Sequence, residues 1–342
     1  MEISKDENKI AILTIIILGF IVYGFSLFNG FVWDDLSLIV NNPLAHSLSN
    51  IPVFLFKENI TLHATGPFLG SYYRPIPAIS FVFLYSMFGN NAFFYHLFQL
   101  VFHITNAILV YFLFKKFIES RISLFLALIF LIHPINTESV IYVAALQEIL
   151  FVFFGLTTLN IYIYQREQKR KLCFIALFLL LSLFSKETGL LFFGLFLLYT
   201  LLFKLNQTKK AVSIIFGLSA LYICIKLLLY GHYYQRINTP LTMSFNERII
   251  GLPSYLLYYL KTFLFPKDLS IAQYWSTPAT PFASSILEIV MLVISSSIFA
   301  FLVWFWKKSK QESFKILIFF SIWFLIGWLF HSQIFQLDLS VS

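Results

Sequence analysis

Charge is scarce in this sequence. Asp, Glu, Lys and Arg make up only 12% of its 342 residues, against about 25% in a typical soluble domain. With 59% hydrophobic residues, 43 Phe and a mean hydropathy of +0.82, the chain holds more apolar surface than one aqueous core can hide. A single water-soluble domain is excluded, and the sequence reads as an all-α integral membrane protein. Cysteine is nearly absent. The two present, Cys173 and Cys224, fall inside apolar runs; they suit buried small side chains and exclude a disulfide framework. A Walker-type loop, GxGxxG, HExxH and Cys-based metal spacing are also missing, which argues against ATP-driven transport and nucleotide binding. The first apolar run, 10–28, has no small-residue cleavage site and is long enough to span, so it reads as an uncleaved helix.

The net charge of +8 does not imply a nucleic-acid partner, because the basic residues punctuate the apolar runs instead of forming a patch. They fall at Lys115, Lys116 and Arg121, at Arg166, Lys169, Arg170 and Lys171, at Lys204, Lys209 and Lys210, and at Lys307, Lys308, Lys310 and Lys315. Such punctuation marks cytoplasmic loops. The runs 10–28, 91–114, 121–135, 139–164, 171–184, 189–204, 211–230, 284–306 and 313–330 predict about nine transmembrane helices. Threaded with the N-terminus inside, they leave Lys57, Arg74, Lys186, Arg236, Arg248, Lys261 and Lys267 outside and Lys226 within a span. The stretch "LPSYLLYYLKTFLF" (252–265) is short and interrupted by Lys261, so it reads as an interfacial helix on the outer face. Two long outer segments result, 29–90 and 231–283. The first ends in "PIPAISFVFLYSMFG", an expected amphipathic helix, and contains a sequon at Asn59 that reads as a chance match. Inner loops are short and merely basic, so chemistry is expected on the outer face. Residues 1–342 read as a single membrane domain, and the abrupt end at "LDLSVS" predicts a longer chain.

Charged groups in or beside a bilayer cost several kcal/mol unless paired or solvated. In "NGFVWDDLSLIVNNP" (29–43), Asp34 and Asp35 follow the first span closely. Adjacent carboxylates push one member toward the range of a general base, although an N-cap of a short helix explains them equally well. In "YHLFQLVFHITNAIL", His96, Gln99, His103 and Asn106 share one helical face. That stripe faces either a polar cavity or simple interhelical hydrogen bonds. "HPINTES" adds His133 and Glu138, "ALQEILF" adds Gln147 and Glu148, and "FSKETG" adds Lys186 and Glu187, whose adjacent opposite charges also suit a simple ion pair. Lys226 in "LYICIKLLLYG" either snorkels to the interface or, with Arg74, meets a lipid-linked phosphate.

Taken in order, "FVWDDLSLIVNNP", "YYRPI", "YHLFQLVFHITNAIL", "HPINTESV", "FSKETG" and "LYICIKLL" resemble the C-type (GT-C) membrane glycosyltransferases. The nearest branch is the O-mannosyltransferase-like proteins that carry C-terminal tetratricopeptide repeats. The resemblance implies a GT-C-like helical bundle and glycosyl transfer from a polyprenyl-phosphate sugar to an acceptor hydroxyl, on protein Ser/Thr or a surface glycan, at the non-cytoplasmic face with inversion. It implies Asp34 as base with Asp35 beside it, and Arg74, Lys226 and Lys186 at the donor phosphate. His96, Gln99, His103, His133, Glu138, Glu148 and Glu187 would line the pocket. The sequence departs from the pattern at Gln147, where family members carry a basic residue before the acidic one, and at Lys226, where Arg is commoner. No metal or other cofactor is expected, since basic residues are available for the phosphate; a divalent ion on Asp34, Asp35 and Glu138 is the less favoured arrangement. A Lys-, Ile-, Phe- and Asn-rich composition suggests a bacterial cytoplasmic membrane and an undecaprenyl carrier. Two other classes remain open: a secondary transporter or lipid or polysaccharide flippase, whose carboxylates would carry protons, and a non-catalytic scaffold.

Overall fold

The computed structural model describes residues 5–56, 73–165, 169–230, 252–267 and 312–331, together with 249, 269, 297, 301 and 304. Every regular element among the described residues is helical. Met1–Phe196 with Lys210–Arg236 form one compact unit, and Leu197–Lys209 with Ile237–Ser342 a second.

The first unit is assembled around α4 (Ala92–Lys115), whose first turn is capped by the Asn91 side chain accepting the Phe93 N–H at 3.2 Å. Against α4 pack α1 (Lys5–Tyr23), α5 (Ser120–Ile132) and α7 (Leu146–Tyr164), and α7 in turn packs on α8 (Lys169–Ser185). The short α2 (Ile51–Phe56), α3 (Pro75–Phe88) and α6 (Thr137–Ile141) lie between these helices in the chain. α9 (Leu190–Phe203) and α10 (Thr208–Tyr230) follow α8. Gly155 permits the close approach of α7 and α9: a β-carbon there would lie 2.0 Å from the ring of Phe192.

Breaks in the helices create the main local problem. Pro134 ends α5, and the chain then runs through α6 and two 3₁₀ turns, Pro134–Asn136 and Val143–Ala145, before α7 begins. Each interruption frees backbone groups that lipid cannot satisfy. The polar stripe of α4 meets that need. The Gln99 side-chain amide donates to the carbonyls of Ser139 and Tyr142, the second at 2.7 Å. His103 Nε2 bonds the Leu131 carbonyl at 2.9 Å, and Asn106 donates to Ile149 O at 3.0 Å. From within the break, Asn136 donates back to the Phe130 carbonyl at 2.7 Å.

Among the described residues five helices are long and apolar enough to cross a membrane: Asp6–Phe28, Ala92–Lys115, Val143–Tyr164, Leu205–Leu229 and Glu312–His331. Ser120–Ile132 and Pro134–Ile141, bent by 47°, make a sixth if the pair is one span. The expected count of about nine is therefore not reached among the described residues. The run 284–306 lies outside them except at 297, 301 and 304. The runs 171–184 and 189–204 do form helices, but α8 and α9 have 17 and 14 residues, about 26 and 21 Å at 1.5 Å per residue, short of a hydrocarbon core of about 30 Å.

Two further expectations change. Cys173 and Cys224 are free thiols on exposed helix faces, which an apolar solvent tolerates as readily as a core does. α3 is a helix, but its exposed face carries Phe83 and Met87, so it is apolar all round instead of amphipathic.

In the second unit, α11 (Leu252–Leu264) and α12 (Glu312–His331) are joined by a hydrogen bond from Tyr259 Oη to the His331 carbonyl at 3.2 Å. Phe319 is fully buried, edge-on to Tyr199. The sequon at Asn59, most of the second outer segment, and Arg236 and Arg248 fall outside the described residues.

Replacing Gln99 by Leu would remove the side-chain partner of the Ser139 and Tyr142 carbonyls, the second of which keeps the Ala145 N–H; a buried carbonyl left unpaired costs about 1–3 kcal/mol. Gln99→Leu is expected to lower the thermal midpoint of the detergent-solubilised protein by several degrees. A midpoint equal to wild type would show that the break does not depend on this side chain.

Candidate active site

The segment after α1 is held by burial before any of its charges come into play. Ile39 is completely buried with Phe81, Leu84, Tyr95, Val143, Leu146 and Leu150. His46 stacks on Tyr85 with ring centroids 3.8 Å apart and bonds the Ile39 carbonyl at 2.9 Å. The stretch carrying Asp34 and Asp35 is thus packed against α3, α4 and the start of α7.

Asp34 and Asp35 face opposite environments. Asp35 is completely buried: one carboxylate oxygen accepts the Val32 N–H at 3.0 Å and the other the Ala144 N–H at 2.7 Å. It ties the loop to the 3₁₀ turn ahead of α7. Burial pushes its carboxyl up from 3.8 to about 6, against the two backbone hydrogen bonds that favour the anion, with a smaller push from the charge of Asp34. Asp34 is exposed. Its backbone N–H donates to the Tyr142 hydroxyl at 3.2 Å, and its carboxylate lies within electrostatic reach of that hydroxyl. Just before it, Trp33 has a φ of 45°, a left-handed conformation costing about 1–3 kcal/mol in a bulky residue. Neither aspartate caps a helix with its side chain.

The remaining charges form two crossed ion pairs. Lys186 and Glu187 engage distant carboxylate and guanidinium partners. Lys186 Nζ meets Glu148 in the first turn of α7, and Glu187 takes Arg74 Nε at 2.9 Å and Nη2 at 2.8 Å. The turn that splays them apart needs Gly189, where a β-carbon would sit 2.4 Å from the Ser182 carbonyl oxygen. Glu138 lies within electrostatic reach of Glu148 and Lys186. Tyr222 on α10 lies within reach of Glu187, Arg74 and Tyr73, and Lys226 Nζ sits 5.2 Å from the centre of its ring. The buried Oε1 of Glu187 and the hydroxyl of Tyr222 have no hydrogen-bond partner among the described residues.

Sequence comparison gives the same direction. The chain is 27% identical over 195 residues to a protein O-mannosyl-transferase of Caenorhabditis elegans, covering 56% of this chain and 28% of that protein. It is 29% identical over 134 residues to protein O-mannosyl-transferase TMTC3 of Homo sapiens, covering 39% and 15%. With TMTC1 of Mus musculus it shares 30% over 213 residues, covering 55% and 22%. The chain fits an O-mannosyl-transferase-like family. Its matched stretch spans less than a third of each of these relatives. No family model matches it, and no solved structure matches it significantly.

The predicted site residues separate by role. Glu148, Lys186, Glu187 and Arg74 join in the two ion pairs. Glu138 lies within reach of the first and Tyr222, whose ring lies beside Lys226, within reach of the second, while Asp34 sits at Tyr142. Glu138 and Tyr142 are one turn apart, with the Tyr142 N–H donating to the Glu138 carbonyl at 2.9 Å. Gln99 and His103 are spent on backbone carbonyls. His96 is buried, its ring beside the backbone of Asn29 and Gly30. His133 Nδ1 caps the turn after α5 by accepting the Ile135 N–H at 3.2 Å. Among the described residues no group of three His, Cys, Asp or Glu side chains could hold a metal ion, and Asp34, Asp35 and Glu138 do not form one. Tyr142 and Tyr222 escaped sequence reasoning. Only a tyrosine next to a predicted helix break marks position 142, and nothing local links it to a residue 108 positions earlier.

The folded chain holds the Asp35 proton more tightly than an unfolded chain would. That component of stability is therefore present near pH 4 and lost as pH rises through about 6. The thermal midpoint of wild type is expected to fall across this window, and Asp35→Asn, which has no proton to lose, should lack that component. An identical pH profile in both proteins would exclude Asp35 as its source.

Proposed function

We propose that the chain carries out glycosyl transfer in a membrane, with Asp34 as the general base. The observation that carries this reading is the division of labour between two adjacent carboxylates: Asp35 is buried and locked by two backbone N–H groups, while Asp34 is exposed on a strained turn. A structural carboxylate behind an accessible one is what a base held in fixed geometry requires. The names of the relatives support mannose as the sugar and a protein hydroxyl as the acceptor.

The reaction is a single displacement. Asp34 takes the proton of the acceptor hydroxyl as its oxygen attacks the anomeric carbon. The bond from that carbon to the phosphate oxygen breaks, its electron pair leaves with a polyprenyl phosphate, and the configuration inverts. Charge building on the leaving phosphate needs fixed cations in a site that excludes water. Arg74, Lys186 and Lys226 supply them; the first two are held by Glu187 and Glu148 before donor arrives. A lipid-linked donor accounts for a catalytic sequence without a nucleotide loop. The site is assigned to the non-cytoplasmic side, with the N-terminus in the cytoplasm, on the distribution of Lys and Arg between apolar runs; a bacterial membrane and an undecaprenyl carrier follow from composition alone.

The test is transfer of label from a radiolabelled polyprenyl-phosphate mannose to peptide acceptors by the purified full-length protein. Asp34→Asn is expected to lower kcat by about 10²–10⁴-fold while leaving the thermal midpoint unchanged. A folded Asp34→Asn protein with undiminished rate would remove Asp34 as the base, and absence of transfer by wild type from any polyprenyl-phosphate sugar would overturn the reading as a whole.

A further inference from the structure

We infer that Tyr142 is a positioning residue for Asp34: its hydroxyl anchors the aspartate's backbone N–H and so fixes the point from which the exposed carboxylate reaches the acceptor. This inference rests on the assignment of Asp34 as base. A tyrosine hydroxyl offers one donor and two acceptor lone pairs. Here it accepts the Asp34 N–H at 3.2 Å, and the Asp34 carboxylate lies within electrostatic reach of it. An exposed carboxylate on an unanchored loop spends little time in the one position that can take a proton.

Tyr142 is itself fixed from three directions. Its N–H donates to the Glu138 carbonyl at 2.9 Å, and its carbonyl accepts from Gln99 at 2.7 Å. Its ring meets the Trp33 ring edge-on, with centroids 6.1 Å apart and planes at 79°. The strained backbone of Trp33 thus gains its indole contact from the same residue that holds Asp34. Two residues further on, the Ala144 N–H grips Asp35. Both aspartates are therefore referenced to one short stretch, 142–144, which α4 holds through Gln99.

The experiment compares wild type, Asp34→Asn, Tyr142→Phe and the double variant in the transfer assay with polyprenyl-phosphate mannose. Tyr142→Phe keeps the ring on Trp33 and removes only the hydroxyl, so its thermal midpoint should match wild type. The expected result is a fall in kcat of about 10–100-fold, the scale of a small misplacement of a catalytic group, with the donor KM unchanged. The double variant should be no slower than Asp34→Asn alone, because the tyrosine acts through the aspartate. Tyr142→Phe within twofold of wild type, beside an inactive Asp34→Asn, would overturn the positioning role and leave the base assignment standing. So would a loss carried by the donor KM, or losses that multiply in the double variant. An active Asp34→Asn would instead overturn the base assignment and the role of Tyr142 with it.

Discussion

The structure depends on how a broken helix is made tolerable inside an apolar bundle. Between α5 and α7 the chain stops, turns and restarts, leaving carbonyl and N–H groups without intrahelical partners. Lipid has no hydrogen bonds to offer, so the bundle has to provide them. Gln99 and His103 on α4 take up the carbonyls of Ser139, Tyr142 and Leu131. Asp35 takes the N–H of Ala144 from the other side. The polar stripe of α4 is a set of backbone partners, and the irregular segment it supports carries Glu138 and Tyr142 toward Asp34 and Lys186.

The second constraint is charge. A carboxylate or ammonium in a low-dielectric surrounding needs a counter-charge or hydrogen bonds to remain ionised. Here the solution is a crossed pair: Lys186 and Glu187, adjacent in sequence, reach to Glu148 and Arg74 and so link α7, α8 and the start of α3. Gly189 makes that splay sterically feasible. The pairing keeps each cation in position while compensating its charge, and Glu187 Oε1 and the Tyr222 hydroxyl, unpartnered among the described residues, leave polar capacity beside Arg74. Asp35 follows a different rule. It has no cation partner among the described residues, and burial raises its affinity for a proton against the two N–H groups that favour the anion.

Much of this was legible in the sequence. Low charge and long apolar runs require helices in a membrane, and each run among the described residues does contain a helix. The one-face spacing of His96, Gln99, His103 and Asn106 announces that α4 must face protein, because the 3.6-residue period is a local property. The span count was less legible, since helices of 17 and 14 residues sit at or below the short end of what a bilayer crossing needs. The partner of each polar side chain was also hidden. Adjacent Lys186 and Glu187 read as a pair with each other, and adjacent Asp34 and Asp35 read as equivalent, because sequence neighbours are the only neighbours a sequence displays.

What the sequence determined by itself is therefore the solvent, the helical class and the short stock of ionisable groups from which any site must be drawn. Those follow from composition and local periodicity, which do not depend on which helix lies beside which. Tertiary structure alone decided that Asp35 is buried and Asp34 exposed, that Tyr142 holds Asp34 across 108 positions, and that Lys186 and Glu187 part company. Each of these is a contact between helix ends brought together by packing, and the energy of such a contact depends on distance and burial, neither of which is written in the order of residues.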